Sequence, residues 1–237
     1  MSWNRPAEIV LIRHGESLRN LLMEGKACIP NETARRGLEG YHDHTIPLTA
    51  RGEVQARDAG PKIIADIGLP DCVYHSGYVR AKRTLEGMLE HLPEEVRSKI
   101  RIYWKFELRE RSSGARWLMT QEEYDKHFPW AEAQYRTIGP FLFQPPGGGE
   151  SIADLVCGRV HSAVDTIFRD RPGQRVWLVC HGQVMRAARV LFERTPLEAL
   201  DAVMASHAPN LGLIRYVYEE GSETPTRTHL YSTYTDL

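Results

Sequence analysis

Two histidine–glycine pairs, His14-Gly15 and His181-Gly182, each follow a run of apolar residues, Ile9-Val10-Leu11-Ile12 and Val176-Trp177-Leu178-Val179-Cys180. Arg13 directly precedes the first pair. A fixed cation beside an imidazole suits the binding and attack of an anion. Guanidinium donates paired hydrogen bonds to phosphate oxygens and stays charged at any working pH. Imidazole can serve as a nucleophile that splits phosphoryl transfer into two steps. Two other segments carry fitting partners. Ser76 through Thr84 contains Arg80, and Leu108-Arg109-Glu110-Arg111 contains a carboxyl group. Such a group can protonate a leaving oxygen and then, ionised, activate water.

These residues work together only if the fold brings them to one place. The apolar runs ending at Ile12 and Cys180 read as buried strands. Asp71–Ser76 and Ile100–Trp104 read as two more, and Gly212–Tyr218 and Thr228–Tyr234 alternate and could pair across Glu220-Gly221-Ser222. Between them, Thr49–Ile67 has helical spacing behind a threonine cap, with an interruption expected at Gly60-Pro61. Arg80–His91, Ser151–Arg169 and about Gln183–Glu193 read as further helices, the second of them long. This order predicts an α/β three-layer sandwich, a mostly parallel central sheet with helices on both faces. Parallel neighbouring strands would then gather both histidines, both arginines and the carboxylate at one sheet edge, where open α/β sheets bind ligands. Residues 1–237 are read as a single domain with irregular insertions around 21–40 and 115–149, segments of the kind that form lids or walls.

Composition bounds the partners. The chain has 237 residues, 42% hydrophobic and 26% charged, with a formal net charge of -1. That balance suits a soluble globular protein and offers no overall field for nucleic acid or an anionic membrane. No window is apolar enough to span a bilayer, and Met1 through Pro6 holds no signal core. The four cysteines, Cys28, Cys72, Cys157 and Cys180, are widely spaced and form no CxxC pair. They read as buried free thiols, which fits a cytoplasmic protein.

Leu11 through Ser17 with Asn20, Pro47-Leu48-Thr49 through Gly52, Ser76 through Thr84, Leu108 through Glu110, Gly149-Glu150-Ser151 and Val179 through Gly182 occur in this order. Together they resemble the histidine phosphatase superfamily, the phosphoglycerate-mutase-like fold, over roughly residues 8 to 218. The resemblance implies that His14 is the phosphorylated nucleophile and that Arg13, Arg80 and His181 clasp the phosphoryl group. It implies Glu110 as general acid and base, and Asn20, Gly40 and the backbone at Gln183 as substrate-binding positions. No metal or other cofactor is implied, because a cationic cage supplies the charge stabilisation that phosphoryl transfer needs. Nearby cations should lower the His14 pKa and keep it neutral for attack, whereas His181 is expected to act protonated.

Several residues carry competing readings. Glu107 is an alternative acid, with the Leu-Arg-Glu-Arg register favouring Glu110. His42-Asp43-His44 looks like a metal fragment but fits a polar turn better. Pro145 through Gly149 lacks the lysine of a P-loop and reads as a turn. Arg35-Arg36 could close over a phosphorylated substrate, but the pair is expected to face solvent. In the mutases of this superfamily a lysine following the acid grips the substrate carboxylate, and Gln121 stands at that place here. The segment from Glu122 to Ser151 looks more like the phosphatase branch, and residues 21–39 are longer than in the mutases. The expected activity is therefore metal-independent hydrolysis of a small phosphomonoester through a phosphohistidine. The alternatives are a cofactor-dependent phosphoglycerate mutase and a non-catalytic phospho-ligand module. The expected partner is a small phosphorylated metabolite, with homodimerisation left open.

Overall fold

The computed structural model describes residues 4–235. The reading of an absent signal core rests partly on Met1 to Trp3, which lie outside them. Six strands form one sheet: β1 (Glu8–Arg13), β2 (Cys72–His75), β3 (Arg101–Trp104), β4 (Arg175–Cys180), β5 (Leu213–Val217) and β6 (Thr226–Ser232). Their spatial order is β3-β2-β4-β1-β5-β6. β3, β2, β4 and β1 run parallel, and β5 and β6 add an antiparallel edge, the hairpin expected from the alternating C-terminal segments.

Alternation along the central strands sends side chains to two cores. Ile9, Leu11, Val176 and Leu178 face one helical layer; Val10, Ile12, Trp177 and Val179 face the other. All eight are essentially solvent-free, and each such side chain stabilises the fold by roughly 1.5–3 kcal/mol. The helices, in chain order, begin with α1 (Leu18–Met23), α2 (Glu32–Leu38), α3 (Ala50–Ile67), α4 (Val79–Leu89) and α5 (Glu94–Arg97). They continue with α6 (Gln121–His127), α7 (Ala131–Leu142), α8 (Ile152–Asp154), α9 (His161–Asp170), α10 (Gly182–Phe192) and α11 (Leu200–Ala205).

Several expectations need correction. α3 runs through Pro61 without interruption. An interior proline costs a helix about 3 kcal/mol, but α3 buries Ala56, Ala59, Gly60, Ile63 and Ile67 on one face. Gly60 also allows α4 to approach so closely that a Cβ there would sit 2.1 Å from the Met88 carbonyl oxygen. The expected long helix from Ser151 is broken. Ser151 caps α8, a π turn follows over Leu155–Val160 with Gly158 outside helical geometry, and only then does α9 begin.

The segments around 21–40 and 115–149 are not irregular either. They contain α2, α6 and α7, and they pack on each other through a bridge between Ile29 and Thr120 and an ion pair between Arg35 and Glu123. Small apolar clusters hold them, Met23, Ile29, Leu38 and Ile46 in one, Cys28, Tyr124 and Phe143 in the other. Arg36 faces solvent as expected, but Arg35 is tied down. Cys28, Cys72 and Cys180 are buried free thiols; Cys157, on the π turn, is exposed. Among the described residues no helix is long and apolar enough to cross a membrane.

Candidate active site

The pairing of β1 with β4 brings the two histidines together. Arg13 lies opposite Cys180 in the parallel register, so His14 and His181 leave the sheet side by side, and the His14 N–H donates to the Cys180 carbonyl at 3.1 Å. Their ring centroids are 5.1 Å apart. Gly15 must follow His14 because the chain turns against α3: a Cβ there would lie 2.7 Å from the Gly52 carbonyl oxygen.

Hydrogen bonds set the state of each ring. His14 Nδ1 lies 2.7 Å from the Gly15 carbonyl oxygen, which can only accept, so Nδ1 carries the proton. The Nε2 lone pair is left for chemistry and receives the Arg80 Nε–H at 3.3 Å. Burial, then the charges of Arg80 and Arg13, holds the His14 pKa well below the ordinary histidine value, against the opposing bond to Gly15. The neutral nucleophile expected from the sequence is therefore what the site favours. His181 is fully buried, its Nε2 sits 2.8 Å from Ser76 Oγ, and burial with Arg80 and His14 pushes its pKa well below the ordinary value. These neighbours favour the neutral ring; the protonated role expected from the sequence concerns a ring beside phosphoryl oxygens, whose charge acts in the opposite direction.

The cage closes around these rings. Arg80, on the first turn of α4, is buried; it forms an ion pair with Asp43 at 3.0 Å and also donates to the Asp43 carbonyl. Arg13 donates to the Ala208 carbonyl, and burial, opposed by Glu110 and reinforced by Arg186 and Arg80, lowers its pKa. Glu110 stands on the cavity wall, with Oε1 accepting from the Arg111 N–H at 2.8 Å. Glu107 is off that wall and salt-bridged to Lys105, which favours Glu110 as the acid. Asn20 and Gln183 line the cavity; Asn20 Oδ1 accepts from Ser17 and from Asn210, whose side chain also donates to the His14 carbonyl. Gln183 lies at the N-terminus of α10, where free N–H groups favour anions. Gly40 is exposed, at φ +79°, and does not line this cavity.

The cavity has a volume of about 480 Å³, several times a phosphoryl group, and its wall carries seven Lys/Arg side chains against two carboxylates. Arg19, Arg116, Asp43, His207 and Asn210 belong to it and were missed in the sequence. Arg19 stacks over Trp117 at 4.0 Å, and Arg116 over Tyr124 at 4.8 Å and Phe143 at 5.2 Å. Burial lowers Arg19 to about 10. Arg13 Nε, Arg19 Nη1, Arg116 Nε and His181 Nδ1 are buried with no hydrogen-bond partner among the described residues. Buried nitrogens of this kind are what oxyanions bind. His42 and His44 stack on each other, and no cluster of three or more metal-ligating side chains occurs among the described residues.

A three-layer α/β fold with two adjacent buried histidines in an arginine cage is the arrangement of a class of phosphoryl-handling proteins. The chain belongs to the histidine phosphatase superfamily (branch 1), whose profile matches residues 9–229. It is 30% identical over 205 residues to a 2,3-bisphosphoglycerate-dependent phosphoglycerate mutase of Bradyrhizobium sp. (strain ORS 278), covering 85% of this chain and 88% of that one. A protein of the same name from Methylobacterium radiotolerans is 30% identical over 220 residues, 91% of each chain. Among solved structures, mycobacterial glucosyl-3-phosphoglycerate phosphatase with inorganic phosphate superposes with a TM-score of 0.69 at 19% identity, covering 96% of this chain and 98% of that one. YhfR of Bacillus stearothermophilus gives 0.68 at 23% identity, covering 94% and 95%. At these identities the structural likeness shows the fold.

Proposed function

We propose that the protein hydrolyses a small phosphomonoester through a phosphohistidine at His14. The observation that carries this reading is the His14 tautomer: Nδ1–H is held by the Gly15 carbonyl, and the bare Nε2 faces Arg80. In the first step the Nε2 lone pair bonds to phosphorus and the ester P–O bond breaks. Glu110 gives its proton to the departing oxygen. The ring becomes cationic, and the Gly15 carbonyl stabilises its Nδ1–H. In the second step ionised Glu110 takes a proton from water, the water oxygen bonds to phosphorus, the P–N bond breaks, and inorganic phosphate and neutral His14 result. Arg13, Arg80 and the α10 N-terminus stabilise charge on the phosphoryl oxygens throughout. The test is to stop a reaction with substrate at alkaline pH and map the phosphorylated residue by mass spectrometry. His14 is expected to carry it, and turnover by His14→Ala at the wild-type rate would overturn the reading.

A second reading, mutase activity on a phosphoglycerate, is favoured by Arg19 and Arg116, which supply cations beyond the phosphoryl cage. The lysine missing at Gln121 weighs less than the sequence implied, because Gln121 is exposed, bonded to Asp125 and off the cavity wall. The relatives named as mutases agree with this reading. Isomerisation of 3-phosphoglycerate primed with its bisphosphate, scored against release of inorganic phosphate, separates the two.

A further inference from the structure

Arg159 uses all five of its guanidinium N–H groups, and each closes on the segment that carries Glu110 or on the carboxylate braced against it. Nη1 donates to the carbonyls of Glu107 and Arg109, both at 2.6 Å, and Nη2 to that of Glu110 at 3.2 Å. Nε and Nη2 reach the two carboxylate oxygens of Glu150, each at 2.9 Å. Five donors in a planar fork is the full complement of an arginine, and no lysine could reproduce it.

Glu150 completes the brace from the far side of Glu110. It accepts from the Ser112 N–H at 2.9 Å and from Arg109 at 3.3 Å, while its own N–H donates to the Ser112 carbonyl at 3.0 Å. The carbonyls on which Arg159 closes end a 3₁₀ turn over Phe106–Leu108, whose last oxygens have no helical partner of their own. Arg159 satisfies them from outside. It comes from the π turn Leu155–Val160, which widens the helix beside this loop; such turns recur at functional sites. Arg159 is almost fully buried and stands off the cavity wall.

We propose that Arg159, braced by Glu150, is a positioning residue for the acid–base step, fixing where the Glu110 carboxyl meets the leaving oxygen and the attacking water. The proposal rests on the phosphohistidine reading above. Its signature is selective. Departure of an alkoxide needs a well-placed proton, whereas departure of p-nitrophenolate does not. The phosphoryl cage, built from β1, α4 and α10, is left as it is.

The experiment compares kcat and KM for glycerol 2-phosphate and p-nitrophenyl phosphate in wild type, Arg159→Lys, Glu150→Gln and Glu110→Gln. In Arg159→Lys, kcat/KM on the alkyl ester, which covers the steps up to departure of the leaving group, is expected to fall about 100-fold, the scale of a misplaced general acid. Aryl-ester kcat/KM should stay within about 5-fold, because that departure needs no proton and the cage is untouched. Glu150→Gln keeps the shape and loses the charge, so it should show the same selectivity with a smaller fall; it carries the test alone if Arg159→Lys does not fold. Equal losses of kcat/KM on both esters, or none, would overturn the positioning role. A wild type inactive on both esters, or a Glu110→Gln enzyme whose kcat/KM is hit equally on both, would instead break the underlying phosphatase reading.

Discussion

Asp43 holds the Arg80 guanidinium at two points, through its carboxylate at 3.0 Å and through its backbone carbonyl, while the same guanidinium directs Nε to His14 Nε2 at 3.3 Å. The Asp43 carboxylate is thus the counter-charge of the arginine facing His14. Removing one partner of such a pair strands the other. Asp43→Asn should cost about 2 kcal/mol in urea unfolding, less than a fully buried pair would, because the Asp43 side chain keeps some solvent contact. Saturating inorganic phosphate should recover more stability in the variant than in wild type, since it supplies the missing anion. Unchanged unfolding, or equal recovery in both proteins, would show that Asp43 is not the counter-charge.

The depressed histidines give the pH dependence a sign. Both His14 and His181 have folded-state pKa values below the unfolded value of about 6.5. Below that pH the unfolded chain binds protons that the folded chain refuses, so stability is full above about 6.5 and is lost as pH falls below it. Each residue adds at most about 1.4 kcal/mol per pH unit to that slope. Urea unfolding of His14→Asn between pH 7.5 and 5 should be flatter than wild type by up to this amount. The acid limb of kcat/KM should likewise lie below pH 6.5, because the free nucleophile stays neutral there. A limb centred above 6.5 would contradict the assigned state of His14.

The choice between two neighbouring carboxylates is also measurable. Glu110 lies on the cavity wall and Glu107 is salt-bridged away from it. Loss of a general acid lowers rates by about 10²–10⁴-fold, so Glu110→Gln should reduce kcat on an alkyl phosphomonoester within that range. Glu107→Gln should stay within about 3-fold, a surface-charge effect. The reverse order would transfer the acid–base role to Glu107.

The residues on the strands were legible because strand pairing follows the apolar pattern. Once Ile9–Ile12 and Val176–Cys180 are parallel neighbours, His14 and His181 must emerge together. Arg80 followed from the same logic one strand away. Residues whose position depends on tertiary packing were not legible. Asp43 reads as a polar turn until Arg80 is seen beside it, and Arg19 and Arg116 look like surface cations until Trp117, Tyr124 and Phe143 pack beneath them. Pro61 and Gly158 misled in opposite directions. Helix–helix packing around Gly60 carried α3 through a proline, and a π turn broke a segment with no proline at all.

Arg19 and Arg116 lie on the cavity wall, each with its guanidinium over an aromatic ring, each with a buried nitrogen lacking a hydrogen-bond partner among the described residues. On the proposed reading neither is needed to clasp one phosphoryl group, which falls to Arg13, Arg80 and His181. Their charges therefore bear on the rest of the substrate. A charged hydrogen bond contributes about 1.5–3 kcal/mol, so Arg19→Gln and Arg116→Gln should each raise KM for 3-phosphoglycerate about 10-fold or more. The same variants should leave KM for p-nitrophenyl phosphate within about 3-fold, since that ester has no second anion for them to hold. Steady-state kinetics on both substrates reads the difference. Equal effects on the two would assign both arginines to the phosphoryl group itself, and no effect on either would make the aromatic stacking a matter of packing alone.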